Sequence, residues 1–267
     1  MSFSISGKTA IVTGAANGVG LAIARRFVDA GANVMMADMD EISLADATDD
    51  NTDNLRSFAG DLREKLTQVN LIAATLDAFD QVDILVNASR QMEASDPLDP
   101  ESDAVEMLMQ QNMITPLRLS QLVARRMIKQ AENTPPEDHS PIGSIVNLTS
   151  IAARRTHPEL LGYSVSTAAL DQMTRALAVA LAPHRIRVNG CALGSVLSES
   201  LKNALKENGA YRDDIKDHTP LNRIGKPSEV ADAVQFLASE GSGFMTGQII
   251  TVDGGRTLLD PVTAPAH

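Results

Sequence analysis

The sequence lacks the features of a secreted or membrane-spanning protein. Cys191 is the only cysteine, so no internal disulfide can form, and a reducing compartment is the simpler expectation. No apolar run approaches the length needed to cross a bilayer, and residues 1–8 contain no basic segment followed by an apolar one. We therefore expect a soluble, cytoplasmic protein with no membrane partner.

The chain also lacks an excess of positive charge. Its 23 lysines and arginines are outnumbered by 34 aspartates and glutamates, which gives a formal net charge of -11 at pH 7. This charge opposes approach to phosphate backbones, so we expect no nucleic-acid partner. Four histidines lie in predicted loops or at helix ends without metal-ligand spacing, and no metal site is predicted: His139, His157, His184 and His218.

The sequence does contain short apolar runs that alternate with longer amphipathic stretches. This alternation is typical of a parallel sheet covered by helices. The apolar runs predict strands at 9–13, 33–37, 56–59, 84–86, 144–148, 187–191 and 248–252. Helical spacing predicts helices at 18–30, 62–79, 101–130, 167–182 and 228–238. We predict an α/β fold with a doubly wound, seven-stranded parallel sheet and helices on both faces, a Rossmann-like three-layer sandwich.

The 267 residues are expected to form one dinucleotide-binding domain, because 43% hydrophobic content suffices for a large core. Its predicted core runs from 7 to 255. Residues 131–143, with three prolines and an acidic pair, are typical of a surface loop insertion, and residues 256–267 form a tail.

A glycine turn follows the first predicted strand. Gly14, Gly18 and Gly20 stand between that strand and an amphipathic helix, with Asn17 and Val19 in the same turn. Glycines permit positive φ and close backbone approach, so amide groups and a helix N-terminus can face a pyrophosphate. These five residues are therefore predicted to bind a dinucleotide cofactor.

Asp38 closes the second predicted strand, 18 residues beyond Gly20. A carboxylate at this position accepts hydrogen bonds from a ribose diol and repels a 2′-phosphate. Neither Ala37 nor Met39 supplies a cation to hold such a phosphate. The predicted cofactor is therefore NAD rather than NADP.

The ordered motifs resemble the short-chain dehydrogenase/reductase family, single-domain branch, from about Gly7 to Gly255. The motifs are, in chain order, the turn at 13–20, Asp61-Leu62, Asn87-Ala88, Asn112, the pair Ser150 and Tyr163, and the segments 220–227 and 252–255. Ser150 and Tyr163 are 13 residues apart.

The resemblance implies a role for each matching residue. Tyr163 would exchange a proton with a substrate oxygen that Ser150 holds, while Asn112 would have a structural and water-relay role. The resemblance also implies further cofactor-binding residues: Asp61, which would contact adenine, and Leu62, Asn87, Ala88, Thr167, Gly194 and Val196.

The sequence departs from the family at its active-site signature. The family has Tyr-x-x-x-Lys, whereas this chain has Thr167 four residues after Tyr163, and no lysine occurs between Ser140 and Leu201. In addition, Ser89 replaces the glycine of Asn-Ala-Gly, and Leu193 replaces the proline of a Pro-Gly pair.

The missing lysine weakens the expected chemistry. A phenol in water has a pKa of about 10, so only about one in a thousand is ionised at pH 7. If the family's lysine lowers that pKa by about 3 units, its loss costs about 4 kcal/mol, or about a thousandfold in alcohol oxidation. Carbonyl reduction should suffer less, since it needs a phenol that donates. Arg154 and Arg155 could place a guanidinium near Tyr163, although arginine pairs are usually solvated.

The leading hypothesis is an NAD(H)-dependent oxidoreductase acting on a carbonyl or secondary alcohol, with a degenerate active site. The alternative is a catalytically impaired or non-catalytic NAD-binding or regulatory protein. Elimination chemistry of the halohydrin dehalogenase kind fits poorly, because the glycine turn is kept. The partners expected from the resemblance are a small-molecule substrate, recognised by 91–96, 151–161 and 195–219, and copies of the chain in a homodimer or homotetramer.

Overall fold

The computed structural model describes residues 3–48, 53–132 and 140–260. Seven parallel strands form one sheet in the order β3-β2-β1-β4-β5-β6-β7. The strands are β1 Thr9–Thr13, β2 Asn33–Asp38, β3 Leu55–Ala59, β4 Ile84–Asn87, β5 Gly143–Ser150, β6 Ile186–Leu193 and β7 Ile249–Val252. The predicted seven-stranded parallel sheet is confirmed.

Helices cover both faces of this sheet. In chain order they are α1 Gly18–Asp29, α2 Glu41–Thr48, α3 Lys65–Phe79, α4 Val105–Met109, α5 Thr115–Gln130, α6 Leu161–Leu181, α7 Glu199–Glu207, α8 Tyr211–Asp217 and α9 Pro227–Ala238. Residues of α1 and α9 belong to the apolar core on one face, and residues of α3, α5 and α6 to the core on the other. The Rossmann-like three-layer arrangement is therefore confirmed.

The alternation of side chains along the strands explains why both faces are covered. Ala10 and Val12 pack into the core beside α1 and α9, whereas Ile11 between them packs into the core beside α3 and α5. Successive side chains of a strand point to opposite faces, and each buried Val, Leu or Ile contributes about 1.5–3 kcal/mol. A strand that is apolar at every position therefore needs a helical layer on each side.

The helix predicted at 101–130 is wrong as a single element. The structure starts it at Val105 and interrupts it with a π-helical turn, Gln110–Ile114, before α5. Within this turn Asn112 is 2% exposed and hydrogen-bonds to the chain that follows β4. Apolar periodicity does not reveal such a turn, because the turn inserts a polar side chain into the packed interior.

The start of α6 also differs from its prediction, lying at Leu161 rather than at 167. Ser166 and Thr167 donate their hydroxyl hydrogens to the Tyr163 carbonyl oxygen at 3.1 and 2.8 Å. These polar residues are satisfied inside the helix, so the first turns need no apolar spacing. The helix predicted at 62–79 starts at Lys65, because Asp61 and Glu64 form a turn.

Three helices were not predicted from the sequence: α2, α7 and α8. The last two have no buried residue, so the apolar spacing on which the prediction depends is weak there. Both lie in the segment 195–219, which the sequence predicted to contact substrate. None of the helices in the described part of the chain is long and apolar enough to cross a membrane.

Arg187 ties the end of α9 to β6. Its buried guanidinium donates to the carbonyl oxygens of Leu237 and Ser239 at 2.9 and 3.0 Å and to Ser242 Oγ at 2.7 Å. Burial lowers the pKa of the Arg187 guanidinium to about 10, which keeps it protonated at neutral pH. A cation at a helix C-terminus satisfies carbonyl groups that have no partner within the helix.

Parts of the predicted loop and tail lie outside the described residues. The structure shows 131–132 as a turn and Gly143 as the first residue of β5, whereas 133–139 are not described. In the tail, Arg256–Leu258 forms a 3₁₀ turn, and 261–267 are not described.

Candidate active site

The candidate site lies at the carboxyl edge of the sheet, where the strand order reverses between β1 and β4. In a doubly wound sheet the connections after these two strands run to opposite faces, which leaves a crevice above the strand ends. Two neighbouring clefts occupy this edge. We call them the glycine-turn cleft and the tyrosine cleft, and Arg90, Ser198 and Ser200 line both.

Close backbone contacts shape the glycine-turn cleft. Gly14 has a φ of +64°, and a methyl group in its place would lie 2.7 Å from Ser89 Cα. A methyl group at Gly20 would overlap the Gly14 carbonyl oxygen. Only glycine fits these two positions, and the predicted turn residues Gly14, Asn17, Gly18, Val19 and Gly20 all line the cleft.

The N-terminus of α1 faces this cleft. Asn17 precedes the helix in an extended conformation, and its side chain forms no capping hydrogen bond. The first amide groups of a helix lack partners within the helix and carry partial positive charge. This end of α1 is therefore suited to bind a pyrophosphate.

Asp38 stands at the end of β2 on the rim of the same cleft. The Ala16 amide donates to Asp38 Oδ2 at 3.0 Å, and the Asp40 amide donates to Oδ1 at 3.1 Å. These bonds fix the half-buried carboxylate and leave lone pairs for further donors. The group is placed as a ribose-binding carboxylate would need to be.

The predicted adenine-site pair behaves differently. Arg63 binds the Asp61 carboxylate through Nη2 at 2.6 Å and through Nε at 2.9 Å, and this hydrogen bonding lowers the pKa of Asp61. Arg63 lines the glycine-turn cleft, whereas Leu62 packs into the core beside α3. Cofactor contact by Asp61 and Leu62 stays a prediction.

The buried side chain of Asn87 connects β4 to β5 and α5 by hydrogen bonds. Its Nδ2 donates to Asn147 Oδ1 on β5 at 2.8 Å and to Ser120 Oγ on α5 at 3.1 Å. Next to it, the Ala88 amide donates to Thr13 Oγ1 at 3.0 Å, and Ala88 lines the glycine-turn cleft. The structure therefore brings Ala88 to the cleft and uses the Asn87 side chain to hold the strand ends together.

Gly194 and Val196 lie after β6 and line the tyrosine cleft. A methyl group at Gly194 would overlap Asp253, and the Gly194 amide donates to the Val252 carbonyl oxygen at 3.0 Å. Val196 forms an isolated parallel bridge with Gly225. The two residues thus connect the end of β6 to the segment before α9.

The tyrosine cleft brings Ser150 and Tyr163 together as the sequence predicted. Ser150 ends β5, and its Oγ accepts a hydrogen bond from the Ala152 amide at 3.1 Å, which leaves the hydroxyl hydrogen free to donate. Tyr163 lies in the first turn of α6 and is 2% exposed. A substrate oxygen in this cleft can therefore meet two hydroxyl donors.

Arg90 is a residue of the tyrosine cleft that the sequence did not point to. Its Nη1 donates a hydrogen bond to the Tyr163 hydroxyl oxygen. The two arginines considered instead are engaged elsewhere: Arg154 lies 4.0 Å from the Asp171 carboxylate, and Arg155 donates to the carbonyl oxygen of Thr257. A signal was available, because Arg90 lies three residues beyond the end of β4 and β4 pairs with β5, so both strands end at the same edge.

Thr167 does not face either cleft in the way that the missing lysine would. The residue is 2% exposed, and its hydroxyl donates to the Tyr163 carbonyl oxygen at 2.8 Å. The hydroxyl therefore satisfies the backbone of its own helix. Contact between Thr167 and a cofactor stays a prediction without a free donor to support it.

Asn112 holds the segment that follows Arg90. The Gln91 amide donates to Asn112 Oδ1 at 2.8 Å, and Asn112 Nδ2 donates to the Gln91 carbonyl oxygen at 2.9 Å and to Ser166 Oγ at 3.1 Å. Both the Oδ1 and the Nδ2 atom of the Asn112 side chain thus form hydrogen bonds with protein groups. π-Helical turns often occur at functional sites, and this one links the end of β4 to α6.

Other reactive groups do not contribute to the site. Burial raises the pKa of the Cys191 thiol to about 12, so it is no thiolate nucleophile at neutral pH. The residues that the structure describes include no group of three or more His, Cys, Asp or Glu side chains that could hold a metal ion.

Comparison with known proteins gives matches along nearly the whole chain. A family model described as "Enoyl-(Acyl carrier protein) reductase" matches residues 14–257. The 7alpha-hydroxysteroid dehydrogenase of Escherichia coli (strain K12) is 33% identical over 94% of this chain and 94% of its own. The NAD-dependent glycerol dehydrogenase of Listeria innocua is 30% identical over 96% of each.

A solved structure extends this likeness to three dimensions. It is a 7 alpha-hydroxysteroid dehydrogenase complexed with NADH and 7-oxo glycochenodeoxycholic acid. Its sequence is 30% identical to this chain, and the two structures superpose with a TM-score of 0.87. The match covers 95% of this chain and 96% of the solved one.

Proposed function

Because the chain belongs to the short-chain dehydrogenase/reductase family, we propose that it is an NAD(H)-dependent oxidoreductase that interconverts a carbonyl and a secondary alcohol. The observation that carries this proposal is the pairing of the two clefts. Ser150 and Tyr163 share one cleft, and the glycine turn lines the neighbouring one.

The residues of the glycine-turn cleft fit a dinucleotide without a 2′-phosphate. The backbone passes so closely at Gly14 and Gly20 that no Cβ fits, and Asp38 presents a fixed carboxylate at the rim. Arg63 also lines this cleft, but Asp61 already binds its guanidinium. This arrangement supports NAD over NADP, as do the names of the relatives that mention NAD or NADH.

The chemistry of the tyrosine cleft follows from its donors. A bound nicotinamide cofactor supplies a hydride in reduction and accepts one in oxidation. In reduction, Ser150 donates a hydrogen bond to the carbonyl oxygen, and Tyr163 transfers its phenol proton to that oxygen as the alcohol forms. In oxidation, the Tyr163 oxygen accepts the alcohol proton, so Tyr163 must first be ionised.

The substrate class is narrowed by the walls of the tyrosine cleft. Met92, Leu160, Leu201 and Ile215 give it an apolar side, while the basic side chains that line it, apart from Arg90 with its bond to Tyr163, are Arg155, His157 and Arg256. We infer a carbonyl compound with an apolar body and an anionic or polar end. Such a compound buries its apolar part against the first group and meets the basic side chains with the second.

The test is steady-state NADH consumption with a panel of carbonyl compounds. The panel contains ketosteroids with and without a carboxylate, keto sugars and simple ketones. We expect activity with at least one member and a fall of about 10²- to 10⁴-fold in kcat for Tyr163→Phe, because general acid catalysis is lost. NADH binding without any turnover would support the non-catalytic alternative, and absence of NADH binding would contradict both.

We also propose that the chain forms one domain, that it is located in the cytoplasm and that it assembles as a homodimer or homotetramer. The assembly is supported by α6, which leaves Leu161, Val165 and Val179 exposed, the last at 77%. Sedimentation velocity should show a dimer or tetramer, and a monomer at micromolar concentration would contradict the assembly.

A further inference from the structure

We propose that Arg90, at the end of β4, supplies to the Tyr163 hydroxyl the positive charge that the family's lysine would otherwise supply from α6. This inference rests on the proposed function, since it concerns how the phenol of that site becomes a proton acceptor. Arg90 is a positioning residue here: it acts on a proton through Tyr163.

The contact itself has the required polarity. The Arg90 guanidinium is a permanent cation, and it donates to the phenol oxygen rather than accepting from it. The bond leaves the phenol hydrogen free for a substrate oxygen. A donor that carries positive charge stabilises the phenolate more than the phenol, because opposite charges attract.

The charge of Arg90 is available to Tyr163 because no carboxylate of the described residues forms an ion pair with it. Among the ion pairs formed by the described residues, none involves Arg90. Arg90 is half-buried and Tyr163 is 2% exposed, so water screens the contact less than it would at an open surface.

Three hydrogen bonds between the π-helical turn and its neighbours hold the residues on either side of Arg90. Gln111 Nε2 donates to Ser89 Oγ at 3.1 Å, and Asn112 bonds to both backbone groups of Gln91. The serine hydroxyl exists because Ser89 replaces the glycine of the Asn-Ala-Gly motif. Two departures from the family pattern, Ser89 and Thr167, are thus linked by one arrangement around Arg90.

The other charged or titratable groups that line the tyrosine cleft have different partners. They are Arg155, His157 and Arg256. Arg155 donates to the Thr257 carbonyl oxygen, Arg256 donates to Ser195 Oγ, and His157 Nδ1 accepts from the Glu159 amide at 3.3 Å. Arg155 therefore serves as a matched control, since it is an arginine of the same cleft without a bond to the phenol.

The composition of the chain permits a direct test. The sequence contains two tyrosines, Tyr163 and Tyr211, and no tryptophan. In a Tyr211→Phe background, the near-ultraviolet absorbance of tyrosinate reports the ionisation of Tyr163 alone. Tyr211 lies on α8 and is 49% exposed, so its replacement should be tolerated.

In this background, Arg90→Met should raise the pH midpoint of Tyr163 ionisation above the parent's, because the cation that donates to the phenol oxygen is removed. Arg90→Lys should restore most of the difference, because it keeps the charge, and Arg155→Met should change the midpoint by less than about half a unit. Circular dichroism at each pH confirms that the variant is folded. An Arg90→Met midpoint equal to the parent's, in a folded protein, would overturn the inference.

A kinetic arm separates this inference from the proposed function. With an alcohol that the parent oxidises, Arg90→Met should lower the rate at neutral pH by about 10- to 1000-fold and move the acidic limb of the pH profile, where the rate rises as Tyr163 ionises, to higher pH. NADH affinity is measured beside it to separate cofactor binding from the proton step. A shifted midpoint in a chain without turnover would reject the proposed function alone, whereas turnover with an unmoved midpoint would reject the Arg90 inference alone.

Discussion

The glycine-turn cleft and the tyrosine cleft share one edge of the sheet, but different parts of the chain define them. Backbone contacts shape the first, so closely that a methyl group at Gly20 would overlap another residue. Side-chain donors define the second, and the cation that donates to the Tyr163 hydroxyl is Arg90, which lies beyond β4 and not on α6. A site made by backbone geometry constrains the sequence at fixed positions, whereas a charge can reach the same atom from another strand end.

The largest effect is expected where the backbone leaves no space. Gly20→Ala should lower stability by about 3 kcal/mol or more and abolish detectable NADH binding, because the added methyl group overlaps the Gly14 carbonyl oxygen. Gly209→Ala is the control, since nothing lies within 4 Å of a methyl group there. Chemical denaturation and calorimetry measure both variants, and NADH binding by Gly20→Ala at the parent's affinity would break the comparison.

Removal of the charge of Asp38 should affect the glycine-turn cleft alone. Asp38→Asn keeps the shape but weakens ribose binding, and we expect NADH affinity to fall by about 10- to 100-fold while NADPH is rejected less strongly. Glu41→Gln makes the same change of charge on an exposed residue at the start of α2. An equal loss of NADH affinity in both variants would mean that the net charge of the protein, rather than a contact of Asp38 with the cofactor, causes the loss.

Asn112→Ala should affect the other cleft. Loss of its bonds to Gln91 releases the segment beside Arg90, so we expect kcat to fall by about 10-fold or more with NADH affinity within about threefold. Gln110→Ala, an exposed position in the same π-helical turn, should leave both quantities near the parent's values. Steady-state kinetics and calorimetry would contradict this account if NADH affinity fell as far as kcat.

The smallest effect lies outside both clefts, at the start of α9. Hydrogen bonds from Arg223 at 2.6 and 2.7 Å lower the pKa of Glu229 to about 2. A folded pKa below the unfolded value of about 4.3 stabilises the fold above that pH, and this contribution is lost as pH falls toward 2.

We expect the contribution of Glu229 to stay below about 1 kcal/mol, because the pair is exposed. Denaturation of the parent and of Glu229→Gln should therefore give a small difference at neutral pH that vanishes near pH 2. A difference that grows on acidification would have the wrong sign for this mechanism.

The sequence predicts the sheet and the glycine turn of this protein better than its exposed helices. All seven strands and the glycine turn were predictable, since the inner strands are rich in buried apolar residues and the turn requires glycine. The exposed helices α7 and α8 were not, because they bury no side chain that would reveal their period.

The contact of Arg90 with Tyr163 shows a second limit of sequence reasoning. The sequence points to Arg154 and Arg155 as substitute charges, because they lie close to Ser150 along the chain. The guanidinium that reaches the phenol follows a different strand, 73 residues before Tyr163. Strand order brings these residues together, and only the three-dimensional arrangement shows which arginine makes the contact.

The most direct test of the central claim exchanges the two sources of charge. Tyr163 ionisation is measured by absorbance in the Tyr211→Phe chain carrying Arg90→Met, Thr167→Lys, both changes or neither. The account predicts that Arg90→Met raises the midpoint and that Thr167→Lys brings it back down in the double variant. A midpoint that does not respond to Arg90→Met would contradict it.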